Sequence, residues 1–417
     1  MPLTTRKLQN QNTRPLEDSA RASRANAFLI SAVDRLFSSF WFAVFVGILV
    51  NLLAYVVCGI RLGGDSATYL EQVDAISKHQ PLSLGMPGYI GFISVLTFFD
   101  TILGSYRWLI FFQSLLSSVV LAALYFELLE SLGSTARKQK ATALVLLLMN
   151  PEIAYWNMYV LTDSLYATYL AALFWLGLRW VRTNRAVWLG SLVLASILMS
   201  FHRPTAVIVP VIVASFISAR FLWNERQLQR SWIKAFGVLI VGLSISIGHY
   251  VTSVNQSVET YVAPAGRLRD GVYIGGHNPT RLRMPVFHLS FKRDNGILPV
   301  LAEMGEHPIS CAKVILLRIF YGAIHIRPFW SFKHNIVSGF FFVFLWIFAV
   351  VAFARRHKDL VGLWLGAVLI LSHLGIIALT FADYDGRFFF YVLPEMIFFA
   401  ALGFIEYSSN RFRRALF

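Results

Sequence analysis

The residues able to do chemistry in this chain are few, and they stand at the edges of apolar blocks. Asp65 lies in Arg61-Leu-Gly-Gly-Asp-Ser-Ala-Thr-Tyr69, directly after the first block. Asp163 lies in Tyr159-Val-Leu-Thr-Asp-Ser-Leu165, at the start of another. His202-Arg203-Pro204 separates two blocks, and Asp383, Asp385 and Arg387 separate two more. A carboxylate held within hydrogen-bond reach can take a proton from a hydroxyl. A guanidinium matches oxyanions bidentately. Charged groups this close to apolar sequence are costly, and so are functional candidates by default.

Each candidate also has a plainer reading. Asp163 suits a helix cap favoured by the dipole, and Asp65 can cap a short helix over 66–77. Arg203 fits a snorkelling residue at a tight hairpin. Arg387 can pair with Asp383 or Asp385. His79, His249, His288 and His325 are scattered loop or packing histidines. Glu395, just after Pro394 inside an apolar block, reads as a buried hydrogen bond to another helix.

The elements that must position these residues follow from composition. The 417 residues are 57% hydrophobic and 14% charged, with a mean hydropathy of +0.60. A soluble domain carries about 25% charged residues. The apolar residues lie in blocks near 40–60, 109–129, 336–353 and 360–381, each close to the roughly 20 residues that cross a bilayer. The net charge of +15 sits in short clusters between blocks, the pattern of membrane topology rather than nucleic-acid binding. The basic stretch before residue 36 is too long and polar for a cleaved signal peptide. Cys58 and Cys311 are the only cysteines, so neither a disulfide framework nor a zinc site is indicated.

The basic clusters set the sides. With the N-terminus in the cytoplasm, a first span covers 37–60. If 88–103 were a span, Arg137, Lys138 and Lys140 would fall outside. Taken instead as an interfacial or re-entrant helix, it leaves spans at 108–129, 141–156, 163–180, 186–201, 205–222 and 235–254. Three more follow: from about 336 to Arg355, across 360–381, and back to Arg411, Arg413 and Arg414. Every short cytoplasmic loop is then basic. The expected fold is all-α and integral to the membrane, with ten spans and interfacial helices in the external loops. Its parts are a cytoplasmic tail (1–36), an N-terminal transmembrane module (37–253, with an external loop at 61–107), a long external loop (254–334) and C-terminal helices (335–417). The long loop has an irregular, glycine-rich first half and an amphipathic helix near 308–329. The sequon at Asn255 falls on it. All the chemical candidates gather at the outer surface.

Several runs carry a family resemblance. Gly64-Asp65-Ser66-Ala67-Thr68-Tyr69, then Ala75-Ile76 and Met86-Pro87-Gly88-Tyr89, resemble the first external loop of the GT-C glycosyltransferases. Asn150-Pro151-Glu152 before Leu161-Thr162-Asp163-Ser164-Leu165 resembles their second acidic motif. His202-Arg203-Pro204-Thr205, and Gly386-Arg387-Phe388 before Leu393-Pro394, resemble recurring elements. The style is that of protein O-mannosyltransferases and lipid A aminoarabinose transferases. One departure is a single Asp followed by Ser66, where some members pair two acidic residues.

The resemblance implies an inverting transfer of a sugar from a polyprenyl-phosphate donor to a lipid, glycan or protein hydroxyl at the outer face. Phosphate leaves as an anion, so one carboxylate base suffices. Asp65 and Asp163 are the catalytic candidates. Tyr69, His202, Arg203, Arg327, Lys333 and Arg387 are the substrate-binding ones. No metal site is indicated, although Asp65 with Asp163 could hold a divalent ion. The implied location is a bacterial inner membrane with the site facing the periplasm; the alternative is the endoplasmic reticulum membrane. A flippase or transporter of lipid-linked sugars, and an O-antigen ligase or polymerase, are the competing classes. A transporter should show repeat symmetry and midplane charges, whereas here the charges gather at one face.

Overall fold

The computed structural model describes residues 31, 34–83, 86–133, 136–224, 237, 241–242, 244, 270–276, 280–284, 305–356, 360–383 and 385–415. The expected span at 235–254, apart from residues 237, 241–242 and 244, the sequon and most of the first half of the long loop lie outside them. The architecture is helical, with three short strands among the described residues.

The chain order is α1 (Phe40–Cys58), α2 (Ser66–Ser77), a 3-10 turn (Met86–Tyr89), α3 (Ile90–Leu103) and α4 (Trp108–Leu132). Then come α5 (Arg137–Leu148), α6 (Pro151–Trp156), α7 (Thr162–Thr183), α8 (Ala186–Ser200), a second 3-10 turn (Pro204–Ile208) and α9 (Val209–Asn224). After the long loop come α10 (Pro308–Ile324), α11 (Phe332–Arg355), α12 (Leu360–Leu379), α13 (Arg387–Phe390) and α14 (Leu393–Ala415). The strands are β1 (Val272–Gly275), β2 (Leu282–Arg283) and β3 (Ala382–Asp383). β1 pairs antiparallel with β2 and parallel with β3.

Five helices among the described residues are long and apolar enough to cross a membrane: Phe40–Cys58, Trp108–Leu132, Pro204–Leu222, Phe332–Arg355 and Gly362–Leu379. Their outward faces are apolar. Trp41, Val56 and Val57 on α1 and Val337 and Phe340 on α11 are more than 70% exposed. Large apolar side chains exposed in this number suit lipid rather than water. Helices α7 and α14 are equally long, but Asp163 and Arg179 in one, and Glu395 and Glu406 in the other, dilute their apolar character. Ala186–Ser200 is apolar but shorter than those five.

The expected helix at 141–156 is broken. Asn150 leaves the helical conformation and caps α6 by accepting hydrogen bonds from the Glu152 and Ile153 amides at 3.0 and 3.2 Å. Pro151 follows in the first turn, where a missing amide costs nothing. The short helix at the first loop, α2, runs Ser66–Ser77 as its spacing predicts. The segment near 88–103 is a helix of 14 residues, Ile90–Leu103, too short for a typical span. The amphipathic helix ends at Ile324 rather than near 329, because His325 turns into the left-handed region.

Helix α7 is the centre of the bundle. It packs on α4, α8, α12 and α14, and Leu165, Tyr166, Leu170, Leu173 and Phe174 are fully buried along it. Its first turn is therefore held from several sides.

A candidate site at the start of the central helix

Two segments distant in sequence set the site. The chain leaving α1 forms a single parallel bridge with the chain entering α7, Arg61 against Tyr159. The Arg61 amide donates to Met158 O at 2.8 Å, and the Val160 amide donates to Arg61 O at 3.0 Å. Ser66, fully buried, donates to Val160 O at 2.7 Å and accepts from the Gly63 amide at 2.8 Å. Behind them lie buried amide side chains. Asn157 donates to Asn51 at 2.7 Å, and Gln113 donates to Tyr159 O at 2.9 Å. These bonds tie α1 and α4 to the chain entering α7. Asp65 and Asp163 are thus placed from one frame.

The loop helices close the other flank. The Gly91 amide donates to Phe201 O at 2.8 Å, and a Cβ there would lie 2.9 Å from that oxygen. Only glycine admits this approach, which seats α3 against the turn carrying His202 and Arg203. Phe92 meets His202 edge-on, and Tyr69 packs on Tyr89 and Phe92.

Two ion-pair clusters result. In the inner one, Arg203 Nη1 donates to Asp163 Oδ1 at 3.0 Å and also to the Tyr391 hydroxyl, which donates to the same carboxylate oxygen. Its guanidinium lies 4.5 Å from the Tyr391 ring centroid, 5.5 Å from Tyr166 and 5.9 Å from Phe388. Asp163 and Arg203 are both buried. Burial alone would lower the Arg203 pKa, but Tyr391 and Asp163 hold it raised. In the outer cluster, Arg387 Nη1 donates to Asp65 Oδ2 at 2.8 Å, and Nε donates to Asp383. Asp383 is buried, whereas the Asp65 side chain is 53% exposed. Phe388 joins the clusters, since Arg387 lies 5.6 Å and Arg203 5.9 Å from its ring centroid.

A turn through Asp383–Arg387 presents the outer arginine. Gly386 has φ +81°, and a Cβ there would lie 1.7 Å from the His325 ring. The position therefore requires glycine on both conformational and steric grounds. Asp385 is pushed up to about 8 by burial and by Asp383.

The candidates divide on this geometry. Asp65, Asp163, Arg203 and Arg387 come together, with Tyr69 buried beside them. His202 is buried against Tyr166 and Tyr169, and its Nε2 reaches Thr162 O at 3.3 Å. Burial pushes it down to about 3, so it stays neutral and positions the start of α7. Arg327 Nε donates to Asp383 O at 2.9 Å, and Nη1 donates to Ile326 O at 2.8 Å and to Tyr321 O. That guanidinium braces the Asp383 backbone. Lys333 is exposed in the first turn of α11.

Neither aspartate acts as a side-chain helix cap. Asp65 is the N-cap residue of α2 without a capping bond, and Asp163 lies inside the first turn of α7. Each is held by an arginine instead. Both oxygens of Glu395 are buried without a hydrogen-bond partner among the described residues, which corrects the expectation of an inter-helix bond. Among those residues no group of three or more His, Cys, Asp or Glu side chains is placed to hold a metal ion.

Sequence reasoning missed Tyr391 and the polar line behind it. Tyr166 OH donates to His373 Nε2 at 3.1 Å, since His373 Nδ1 is committed to Leu369 O at 2.9 Å. A cavity of about 60 Å³ opens here, lined by Arg203, Thr205, His373, Thr380, Phe388 and Tyr391 among others. Arg203 Nε, buried at its edge, has no hydrogen-bond partner among the described residues. No family model matches the chain, and no curated protein matches it.

Proposed function

We propose that the chain is a membrane glycosyltransferase that moves a sugar from a polyprenyl-phosphate donor to a lipid, glycan or protein hydroxyl. The observation that carries the reading is the half-exposed Asp65 carboxylate 2.8 Å from Arg387, with Arg203 across Phe388. A base and two phosphate-binding groups then share one end of an apolar bundle. A lipid-borne phosphate meets such a site without leaving the membrane surface.

In this reading Asp65 takes the proton of the acceptor hydroxyl as its oxygen attacks the anomeric carbon. The bond from that carbon to phosphate breaks, and the phosphate departs as an anion toward Arg387 and Arg203. Asp163 keeps Arg203 in place rather than touching the acceptor. The site faces the periplasm of a bacterial inner membrane, or the lumen of the endoplasmic reticulum, and the chain crosses ten times. Purified protein incubated with labelled polyprenyl-phosphate sugars and membrane-lipid or glycan acceptors should transfer label. Absence of transfer to every acceptor class, with the lipid bound, would sink the assignment.

One observation favours a second reading. Glu395 is fully buried in α14 with no hydrogen-bond partner among the described residues, and an ionisable group inside a membrane helix can mark a proton or substrate path. A transporter of lipid-linked sugars would lose flux in Glu395→Gln and show no transfer chemistry. A transferase keeps its chemistry in that variant.

A further inference from the structure

We infer that Arg387 is a counter-ion switch: it pairs with the Asp65 carboxylate and releases it to bind an arriving phosphate. The inference rests on the glycosyltransferase reading and adds an order to it. Donor binding opens Oδ2 of the base to the acceptor.

Three observations carry it. First, Arg387 is shared. Its Nε edge holds Asp383 and its Nη1 holds Asp65, so one guanidinium joins a buried carboxylate to a half-exposed one. Secondly, the two bonds are unequal. Asp383 is 3% exposed and Asp65 is 53% exposed. Breaking a buried pair strands a charge, whereas an exposed pair is worth little. A competing oxyanion therefore displaces Asp65 and leaves Asp383 in place. Thirdly, Asp383 cannot follow the arginine away. It lies on β3, paired with β1, and Arg327 donates to its carbonyl.

The Asp65 backbone does not need to move either. Ser66 pins it to Val160, and α2 continues from there. The motion is confined to the side chains of the pair, of which Asp65 is 53% exposed. While Arg387 Nη1 donates to Oδ2, the guanidinium takes up an acceptor position on the oxygen that faces it. Once phosphate takes Nη1, the oxygen is free and stands next to the newly bound donor.

The test uses the full-length protein in nanodiscs, with undecaprenyl phosphate as the probe and a carbodiimide–amine reagent read at Asp65 by mass spectrometry. Binding of the lipid is measured first. Labelling of Asp65 should rise about fivefold on lipid binding, the scale set by an exposed ion pair. In Arg387→Ala, Asp65 should label at the high level from the outset and not respond to lipid. Lipid binding with unchanged or reduced labelling of wild-type Asp65 overturns the switch and leaves the transferase reading standing. Failure of the wild-type protein to bind the lipid at all overturns both. Arg387→Lys separates charge from shape. It keeps one cation but loses the fork that reaches two carboxylates, so its Asp65 should label as in Arg387→Ala.

Discussion

Helix α7 has arginine–carboxylate clusters at both ends. At its close, Arg179 reaches Glu127 at 3.1 Å and Glu130 at 3.4 Å, and Arg182 reaches Glu127 at 2.8 Å and also Glu130. All four residues lie on two adjacent helices, α4 and α7, so the cluster clamps a pair that already packs. At its start, Asp163 meets Arg203 from the α8–α9 turn and Tyr391 from the end of the chain. Asp65 arrives from the first loop through Arg387. Segments separated by up to 322 positions converge there, beside a cavity and around an aromatic ring. The same residue types serve different ends. A cluster between neighbours locks packing, whereas one drawn from distant segments, with one member left exposed, is arranged for a ligand.

The largest expected break in that contrast comes from Asp65→Asn. The change keeps size and removes basicity. Transfer should fall by about 10²–10⁴, the usual worth of a general base, with folding and donor binding retained. Near-normal transfer in this variant, together with loss in Asp163→Asn, would reverse the two roles.

Next is the inner pair. Asp163→Leu leaves Arg203 buried and uncompensated, which should cost roughly 3–5 kcal/mol. The double variant Asp163→Leu/Arg203→Met removes both charges and should recover most of that loss while remaining inactive. Thermal unfolding in detergent reads the first part, and the transfer assay reads the second. If the double variant stays as unstable as the single one, the pair acts through packing rather than charge.

How much of this was legible in the sequence depends on distance along the chain. Elements set by local chemistry were. Ser66–Ser77, the short helix at Ile90–Leu103 and the pairing of Arg387 with Asp383 all follow from neighbours within a turn or two. Asn150-Pro151 breaks the helix, but in the sequence the surrounding apolar run outweighs it. The Asp163–Arg203–Tyr391 cluster carried no signal, since nothing local marks which aspartate meets which arginine. Arg327 and Lys333 looked alike as loop cations. Only the fold separates a guanidinium spent on backbone carbonyls from an exposed ammonium.

A smaller effect should appear in pH dependence. The folded protein holds a proton on Asp385 up to about 8, whereas an unfolded Asp releases it near 3.9. Between those values the native state binds more protons, so stability should fall as pH rises from about 4 to about 8. Asp385→Asn should flatten that slope and leave the closing cluster of α7 untouched. An unchanged slope would remove Asp385 as its source.

The smallest effect is expected at the far end of α7, and it bears most directly on the contrast. Glu130 is 49% exposed, and its partners Arg179 and Arg182 are also held by the buried Glu127. Losing Glu130 therefore strands no charge. Exposed pairs are worth at most about 1 kcal/mol, so Glu130→Gln should shift unfolding by less than that and leave transfer unchanged. The shift should shrink further between about 0.01 and 1 M salt, as the screening length contracts from roughly 30 to 3 Å. Glu127→Gln should cost more, since it leaves two arginines with only an exposed partner. Both variants should keep full donor binding. A tenfold loss of transfer in stable Glu130→Gln protein would mean that this end also takes part in the reaction, and the division between a clamp and a site would fail.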